Sequence, residues 1–192
     1  MSDLNSQSDT ELAVASLQHK DSFAVLIMRY EASLARYIHR LGVTDHEDVL
    51  DVLQETFIAV YKNLNEYDSS LKFSSWMYRI AHNKTVDWFR KRRVRPEGHL
   101  IEDGESVLPF VESPEWGSEA VFDASLNSTV LSQALAKLDP KYREVVVLRF
   151  FEEKEYDEIS DILKIPIGSV GTLLHRAKKE LRKFIDTKHI RI

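Results

Sequence analysis

Cysteine is absent from this chain of 192 residues, and glycine and proline are scarce, with six and five residues. Without cysteine the chain has no disulfide framework, no cysteine-ligated zinc and no thiol redox chemistry. No apolar run approaches the roughly 20 residues that span a bilayer. Residues 1–10 are polar and lack the basic and apolar regions of a signal peptide. These absences predict a soluble, cytoplasmic protein without membrane insertion.

Charge is distributed unevenly along the chain, although its total is only −5. Residues 72–95 carry eight Lys or Arg and one Asp, whereas residues 96–125 carry eight acids and no Lys or Arg. Residues 171–192 carry seven Lys or Arg and two acids. Two basic segments that flank an acidic one indicate a nucleic-acid partner, because clustered cations attract phosphate whatever the total charge.

Three long N-terminal segments show the three- and four-residue spacing of helices rather than the alternation of strands. The apolar stripe of the first segment is Phe23, Leu26, Ile27, Tyr30, Leu34, Tyr37, Ile38 and Leu41. The stripe of the second is Val49, Leu53, Phe57, Val60, Tyr61 and Leu64. Thr44 and Glu47 precede this second stripe with the spacing of a capping box, which predicts a helix start at Thr44. The third segment runs from about residue 73 to residue 92.

Composition divides the chain into four parts. Residues 1–20 are predicted to be a partly helical N-terminal segment, and residues 21–95 a first helical domain. Residues 96–118 combine Pro, Gly and acids, which is the composition of a linker. Helical periodicity resumes in the second domain, residues 119–192. We therefore predict an all-α fold in which an acidic linker joins two small helical domains.

The second domain has the pattern of a helix-turn-helix. A helix start at Asp139-Pro140 is followed by a short amphipathic helix, a break at Pro166 and a longer basic helix. The buried face of the long helix is predicted to hold Val170, Leu174, Ala177, Leu181 and Phe184 or Ile185. The opposite face presents Thr172, His175, Arg176 and Lys179. A stripe of free donors suits a recognition helix in a major groove about 12 Å wide, and the alternative is an ordinary hairpin with a solvated basic face.

Three motifs resemble those of a known family. Residues 51–64 (DVLQETFIAVYKNL) resemble region 2.2 of sigma-70-type RNA polymerase sigma factors, in particular the extracytoplasmic-function (ECF) group. Residues 76–83 (WMYRIAHN) resemble that group's W-x-Y-R-I-A-x-N stretch. Residues 166–170 (PIGSV) and 174–177 (LHRA) resemble its region 4.2 pattern, P-I-G-T-V followed by L-x-R-A. The motifs occur in the order and approximate spacing of the family, and the resemblance covers most of the chain.

The resemblance implies that a polar, mostly acidic stripe on the second helix docks on a coiled coil of the largest polymerase subunit. The residues to which it assigns core-polymerase binding are Asp48, Asp51, Gln54 and Glu55. A solvated helix face is the alternative interpretation of the same stripe. Phe57 and Tyr61, on the neighbouring apolar stripe, are predicted to belong to the core.

Aromatic and basic residues are mixed along the third helix and the loop before it. Such a surface suits a single DNA strand, because cationic grooves and stacking side chains hold separated strands. The resemblance implies that this surface melts and reads the promoter −10 element, with Tyr67 and Asn83 capturing a flipped base. The residues assigned to −10 DNA are Tyr67, Lys72, Trp76, Arg79, Asn83, Lys84, Trp88 and Arg90. The alternative for Trp76 is a structural role in the core.

The resemblance also implies that the long C-terminal helix reads the −35 element as duplex DNA. The residues assigned to −35 DNA are Gly171, Thr172, His175, Arg176 and Lys179. Family members often carry Lys or Arg where this chain has Gly171 and Leu173, so the −35 sequence is not assigned. Gly171 costs about 1 kcal/mol of helix propensity relative to Ala, which hints at a close backbone approach at that position, to DNA or another group.

The sequence therefore predicts an ECF-type sigma factor that binds core RNA polymerase and promoter DNA, needs no cofactor or metal, and performs no chemistry. The resemblance further implies an anti-sigma partner. One alternative is a polymerase-independent helix-turn-helix regulator. A remote alternative is a helical metal phosphohydrolase, with the candidate ligands His39, His46, Asp48, His82 and Asp87. The chain carries no His-Asp dyad, P-loop, GxGxxG or G-x-S-x-G motif to support an enzyme.

Overall fold

The computed structural model of the chain describes residues 6–94 and 133–187, which form helices and no strand. The helices are α1 (Asp9–Ala15), α2 (Lys20–Leu41), α3 (His46–Lys62), α4 (Phe73–Val94), α5 (Pro140–Phe150), α6 (Tyr156–Leu163) and α7 (Ile167–Thr187). A 3₁₀ turn lies at Leu64–Glu66, and residues 133–137 are helical. The predicted all-α class is confirmed. The predicted linker, residues 96–118, lies outside the described residues.

Helices α1 to α4 form the N-terminal unit, residues 6–94. Ser8 caps α1 in a capping box with Glu11, and the apolar stripe predicted for α2 is buried except for the half-buried Ile27. Helix α3 begins one residue later than predicted, because Asp45 rather than Thr44 is its N-cap and accepts the Asp48 backbone N–H. Apolar residues of α2, α3 and α4 share one core. The result is a bundle whose outer faces carry the polar residues of the predicted sites.

Helices α5 to α7 and residues 133–137 form the C-terminal unit, residues 133–187. The predicted start of α5 is confirmed, because the Asp139 side chain accepts the Lys141 backbone N–H and Pro140 occupies the first turn. Helices α6 and α7 are joined by a tight turn in which Lys164 adopts the left-handed conformation (φ 55°). The Ser160 hydroxyl donates to the Ile165 carbonyl at 2.6 Å and closes this turn. These features build the predicted helix-turn-helix.

The two units pack against each other, with α4 against α6 and α2 against α5. Arg143 of α5 fastens them, because its Nη1 donates to the Leu41 carbonyl at the C-terminus of α2, at 3.0 Å. The same guanidinium donates to the Leu135, Ala136 and Leu138 carbonyls at 2.8, 2.8 and 3.2 Å. One cation therefore satisfies carbonyls at two helix ends, where intrahelical donors are missing.

Gly42 makes room for this contact. It ends α2 with φ at 117°, a conformation that side chains disfavour. A Cβ at position 42 would lie 2.7 Å from Arg143 Nη1. Glycine therefore suits this junction, because its backbone angle disfavours a side chain and a Cβ would press on the guanidinium that binds the Leu41 carbonyl. No helix in the described part of the chain has the length and apolar composition to cross a lipid bilayer.

Candidate polymerase and DNA interfaces

The acidic stripe of α3 lies on the outer surface of the N-terminal unit. Asp51, Gln54 and Glu55 are exposed, and Asp48 is half-buried. Its ends meet the basic end of α4. Asp48 pairs with Arg92 at 2.9 Å, and Glu55 lies 3.5 Å from Lys91 and 3.9 Å from Lys84. The predicted polymerase-binding residues therefore share one face, and two of them contact cations of α4, among which Lys84 belongs to the set predicted to face DNA.

Beside this stripe an apolar groove runs between α2 and α3, with a volume of about 560 Å³. It is lined by Phe23, Ile27, Leu50, Leu53, Phe57, Ile58 and Tyr61, with Glu31, Gln54 and Lys62. Tyr61 was predicted to belong to the core, and this prediction is wrong: its side chain is 41% exposed and its ring packs on Phe23 at 5.0 Å. The sequence signal for this groove is Ile58, an apolar residue outside the predicted stripe of α3. Ile58 is 47% exposed, so the apolar surface of α3 is wider than the stripe that the core covers.

The aromatic residues before and within α4 form the floor of the predicted −10 surface. Trp76 is only 5% exposed and packs with Phe73 and the half-buried Tyr67, at ring distances of 5.7 and 5.4 Å. The Tyr67 hydroxyl donates to the Leu71 carbonyl at 2.7 Å and so shapes the loop before α4. In this conformation Trp76 supports the surface from beneath and has no face free for a base.

The C-terminal half of α4 presents the exposed part of this surface. Asn83 and Arg90 are exposed, and Arg90 lies 3.4 Å from Asp87 of its own helix. Trp88 is half-buried, and the Arg92 guanidinium lies over its ring at 4.4 Å. Asn83 and Arg90 are seven residues apart and share an accessible face of α4, whereas Trp88 and Arg92 lie on the side of the helix that faces α3.

Two other cations of the predicted −10 set are engaged by the C-terminal unit. Lys72 Nζ lies 3.2 Å from Glu158 Oε2, and Arg79 Nη1 donates to Asp161 Oδ1 at 3.4 Å. Glu158 is 8% exposed and also accepts the Ser75 hydroxyl, at 3.1 Å. Burial opposes its ionisation, yet its pKa is lowered, because the backbone N–H of Glu155 and the Lys72 side chain both donate to it.

A second buried carboxylate crosses the same boundary. The Glu152 side chain is 5% exposed, and it accepts Arg40 Nη1 at 3.0 Å and the Tyr78 hydroxyl at 2.6 Å. Burial and the Glu152 charge raise the pKa of Tyr78 above its ordinary value, so this hydroxyl remains a donor. Lys154 Nζ lies over the Tyr78 ring at 4.6 Å and 3.2 Å from the Ser74 hydroxyl. Sequence reasoning did not single out Glu152, because a carboxylate near a helix end carries no signal of a distant partner.

The predicted −35 face of α7 is open to solvent. Thr172, His175, Arg176 and Lys179 are all exposed, while Val170, Leu174 and Ala177 on the opposite face are buried. Gly171 is half-buried, and a Cβ at this position would lie 3.7 Å from the Tyr156 ring, which is ordinary contact. Within the unit Gly171 therefore makes no unusually close contact, and the position has room for a methyl group.

Within the described residues the metal-dependent alternative has no assembled site. Among residues 6–94 and 133–187, no three His, Asp or Glu side chains come together in a group that would hold a metal ion. His82, one of its candidate ligands, faces Glu144 of α5 at 3.4 Å instead.

Comparison with known proteins gives two matching family models, Sigma-70 region 2 over residues 26–95 and Sigma-70, region 4, over residues 128–181. The chain is 35% identical to the ECF RNA polymerase sigma factor SigW of Bacillus subtilis, over 85% of this chain and 89% of SigW. The solved structure of CnrH in complex with the cytosolic domain of CnrY matches with a TM-score of 0.70 and 26% identity. This match covers 94% of this chain and 99% of CnrH.

A further structure, the sigma factor RpoE of Bartonella quintana with the anti-sigma factor NepR, has the same fold, with a TM-score of 0.68 and 20% identity. It covers 88% of this chain and 98% of RpoE. Both structures match along nearly their whole length, so the similarity extends over the two helical units together.

Proposed function

Because this chain belongs to the ECF group of sigma-70-type RNA polymerase sigma factors, we propose how its surfaces divide the work of promoter recognition. The chain joins core RNA polymerase, directs it to promoters and performs no chemistry of its own. We divide it into region 2 (residues 21–95), an acidic linker (96–118) and region 4 (119–192). One observation carries the proposal: an acidic stripe, an aromatic-basic surface and an exposed polar helix face lie on three separate helices of one small scaffold.

The acidic stripe is the docking face for polymerase. Asp51, Gln54 and Glu55 project from consecutive turns of α3 into solvent. Acidic groups suit a basic partner, and complementary charge accelerates association and fixes orientation. The adjoining apolar groove supplies surface whose burial adds affinity, at about 25 cal/mol per Å² of apolar area before the costs of association. Gln54 lies where the stripe and the groove meet.

The surface of α4 melts and holds the −10 element. Asn83 offers both amide donors and an acceptor to the edge of an extruded base. Lys72, Arg79, Lys84 and Arg90 are the cations that face the strand. We assign Tyr67, Trp76 and Trp88 the shaping of the pocket, with Trp76 acting from the core.

The open face of α7 reads the −35 element in the major groove. Arg176 and Lys179 supply cationic donors, and Thr172 and His175 complete the contact face with the backbone at Gly171. An anti-sigma factor is a further proposed partner, because RpoE, a neighbour of the same fold, was solved with the anti-sigma factor NepR.

In vitro transcription with core polymerase, with and without the chain, across a promoter library, tests the proposal. We expect initiation at a restricted set of promoters only when the chain is present. Specific binding of duplex DNA by the chain alone, without any effect on core polymerase, would instead identify a polymerase-independent regulator.

The docking face is tested by Asp51→Arg with Glu55→Arg, which reverses two exposed charges without altering the core. We expect loss of co-purification with core polymerase, because cations now face a basic partner. The matched control, Glu153→Arg with Asp157→Arg, makes the same change in charge at exposed residues of the C-terminal unit. Equal co-purification of both variants contradicts the assignment of the stripe.

A further inference from the structure

The boundary between the two units contains a network of opposite charges, which we call the polar seam. Its acids belong to the C-terminal unit and are Glu152, Glu158 and Asp161. Its donors belong to the N-terminal unit and are Arg40, Lys72, Ser75, Tyr78 and Arg79. Each acid of the seam has at least one partner across the boundary within 3.4 Å. The seam is therefore a set of specific contacts rather than loose proximity.

The carboxylates of the seam are held in place before any partner arrives. Glu152 and Glu158 have side chains that are 5% and 9% exposed, and each accepts more than one hydrogen bond. A buried carboxylate is stable only when it is paired and hydrogen-bonded, so removing its donors leaves an unpaired charge. The closed arrangement of the units therefore depends on these donors.

Two of the donors have a second use. Lys72 and Arg79 belong to the set proposed to face −10 DNA, and a carboxylate and a phosphate compete for the same Lys or Arg donors. In the closed arrangement Glu158 pairs with Lys72 and Asp161 pairs with Arg79, so a phosphate would have to compete with these carboxylates. The chain therefore supplies its own anions to part of its DNA surface.

Resting on the proposed function, we propose that the polar seam is an autoinhibitory contact. In the free chain Glu158 and Asp161 form ion pairs with Lys72 and Arg79. These pairs hold region 4 against region 2 and keep part of the −10 surface from binding single-stranded DNA. Separation of the units then releases both cations from these carboxylates at once. The −35 face of α7 is not covered by this contact, because its donors remain exposed.

The first test measures the separation of the units in the free, full-length chain, without polymerase or DNA. Since the sequence has no cysteine, Ala32→Cys and Arg182→Cys introduce unique sites for a donor and an acceptor fluorophore, one on each unit. The seam variant is Glu158→Gln with Asp161→Asn. In the parent chain the Glu158 carboxylate accepts the Glu155 backbone N–H, and the side-chain amide oxygen of the Glu158→Gln variant can still accept it. We expect a shift to lower energy transfer, with the open-to-closed ratio raised about tenfold or more.

The matched control is Glu153→Gln with Asp157→Asn, which removes two charges from exposed positions of the same unit. It should give the energy transfer of the parent chain. Circular dichroism shows whether each variant is folded, and Lys72→Gln breaks the seam from the other side if the double variant unfolds. Unchanged energy transfer in a folded seam variant overturns the proposal, whether or not the chain directs transcription.

The second test measures binding of a labelled 12-nucleotide oligo-dT to the same variants across salt concentrations. The seam variant should bind more tightly than the control of equal net charge. Its log affinity should depend more steeply on log salt, by about 0.7 for each freed cation that contacts a phosphate. Equal affinities and slopes for the seam variant and its control would show that the seam does not occlude the DNA surface. In vitro transcription with the parent chain tests the proposed function separately.

Discussion

The two surfaces proposed to hold DNA differ in whether their cations are exposed to solvent or paired with acids of the chain. On α7, Arg176 and Lys179 point into solvent and are ready for a duplex. At the start of α4 and on it, Lys72 and Arg79 are paired with carboxylates of the other unit. A duplex exists before polymerase acts, whereas a separated strand exists only after melting. The surface for duplex DNA is therefore open in the free chain, and the surface for a separated strand is partly paired with the chain's own acids.

The largest expected effect comes from the contact that fastens the units. Arg143→Met removes donors from carbonyls of both units and should lower the free energy of unfolding by about 3 kcal/mol, because charged hydrogen bonds to buried groups are lost. Urea denaturation followed by circular dichroism measures this. It should also lower the energy transfer between fluorophores on the two units.

Arg149→Met is the matched control on the same helix. Arg149 contacts the Lys154 carbonyl and Glu155, both within the C-terminal unit, and its side chain is 32% exposed. We expect a loss of about 1 kcal/mol and an unchanged distance between the units. Equal effects of the two variants would show that Arg143 does not bridge the units.

The sequence predicts those features of the fold that arise from residues close together along the chain. The stripe of α2 and the start at Asp139-Pro140 arise from neighbours within four residues, and both were predicted correctly. Asp45 rather than Thr44 caps α3, because its carboxylate accepts the Asp48 backbone N–H, and either of two adjacent capping residues fits the sequence pattern. Tyr61 was misassigned because periodicity locates an apolar face and does not show whether another element covers it.

Contacts between the units were beyond that range. Arg143 and Leu41 are 102 residues apart, and Glu158 and Ser75 are 83 apart. In the sequence Glu158 is one acid among several on an amphipathic helix, and its place in the capping box with Glu155 indicates a helix start but no partner in the other unit. The site residues were assigned instead from the family motifs. These motifs indicate which residues bind polymerase or DNA, but they do not show which ion pairs those residues form in the free chain.

The next prediction separates the two surfaces directly. At low salt, binding of non-specific duplex DNA by the free chain should weaken in Arg176→Ala, and its salt slope should fall by about 0.9, because one phosphate contact is lost. Arg79→Ala should cause no such weakening, because Arg79 is paired with Asp161 in the free chain. Fluorescence anisotropy with a labelled duplex measures both. Equal weakening in the two variants would contradict the contrast between an open and an occupied surface.

Acidification should weaken the contact between Lys72 and Glu158, which joins the proposed −10 surface to region 4. The pKa of Glu158 is lowered from 4.5 in the folded chain. Its contribution to the closed state is therefore complete above about pH 4.5 and is lost as the pH falls through the lowered value. The charged groups around it are Lys72 and Lys154. Energy transfer between the units should fall on acidification below about pH 4.5.

Glu158→Gln is the control for that titration, because it cannot change its charge. Its energy transfer should be low at neutral pH and should change less on acidification than that of the parent chain. Parallel titration curves for the two proteins would assign the acid response to other carboxylates.

The smallest expected effect concerns the open surface alone. Gly171→Ala should raise the free energy of unfolding by up to about 1 kcal/mol, because alanine favours the helix and its Cβ makes only ordinary contact with Tyr156 at 3.7 Å. Gly168→Ala, where a Cβ would meet no atom within 4 Å, is the comparison in the first turn of α7. Thermal unfolding measures both changes. If Gly171→Ala stabilises the chain yet weakens binding to promoter DNA in the holoenzyme, the glycine serves contact with DNA. If binding is unchanged, the missing side chain at position 171 has no part in −35 recognition.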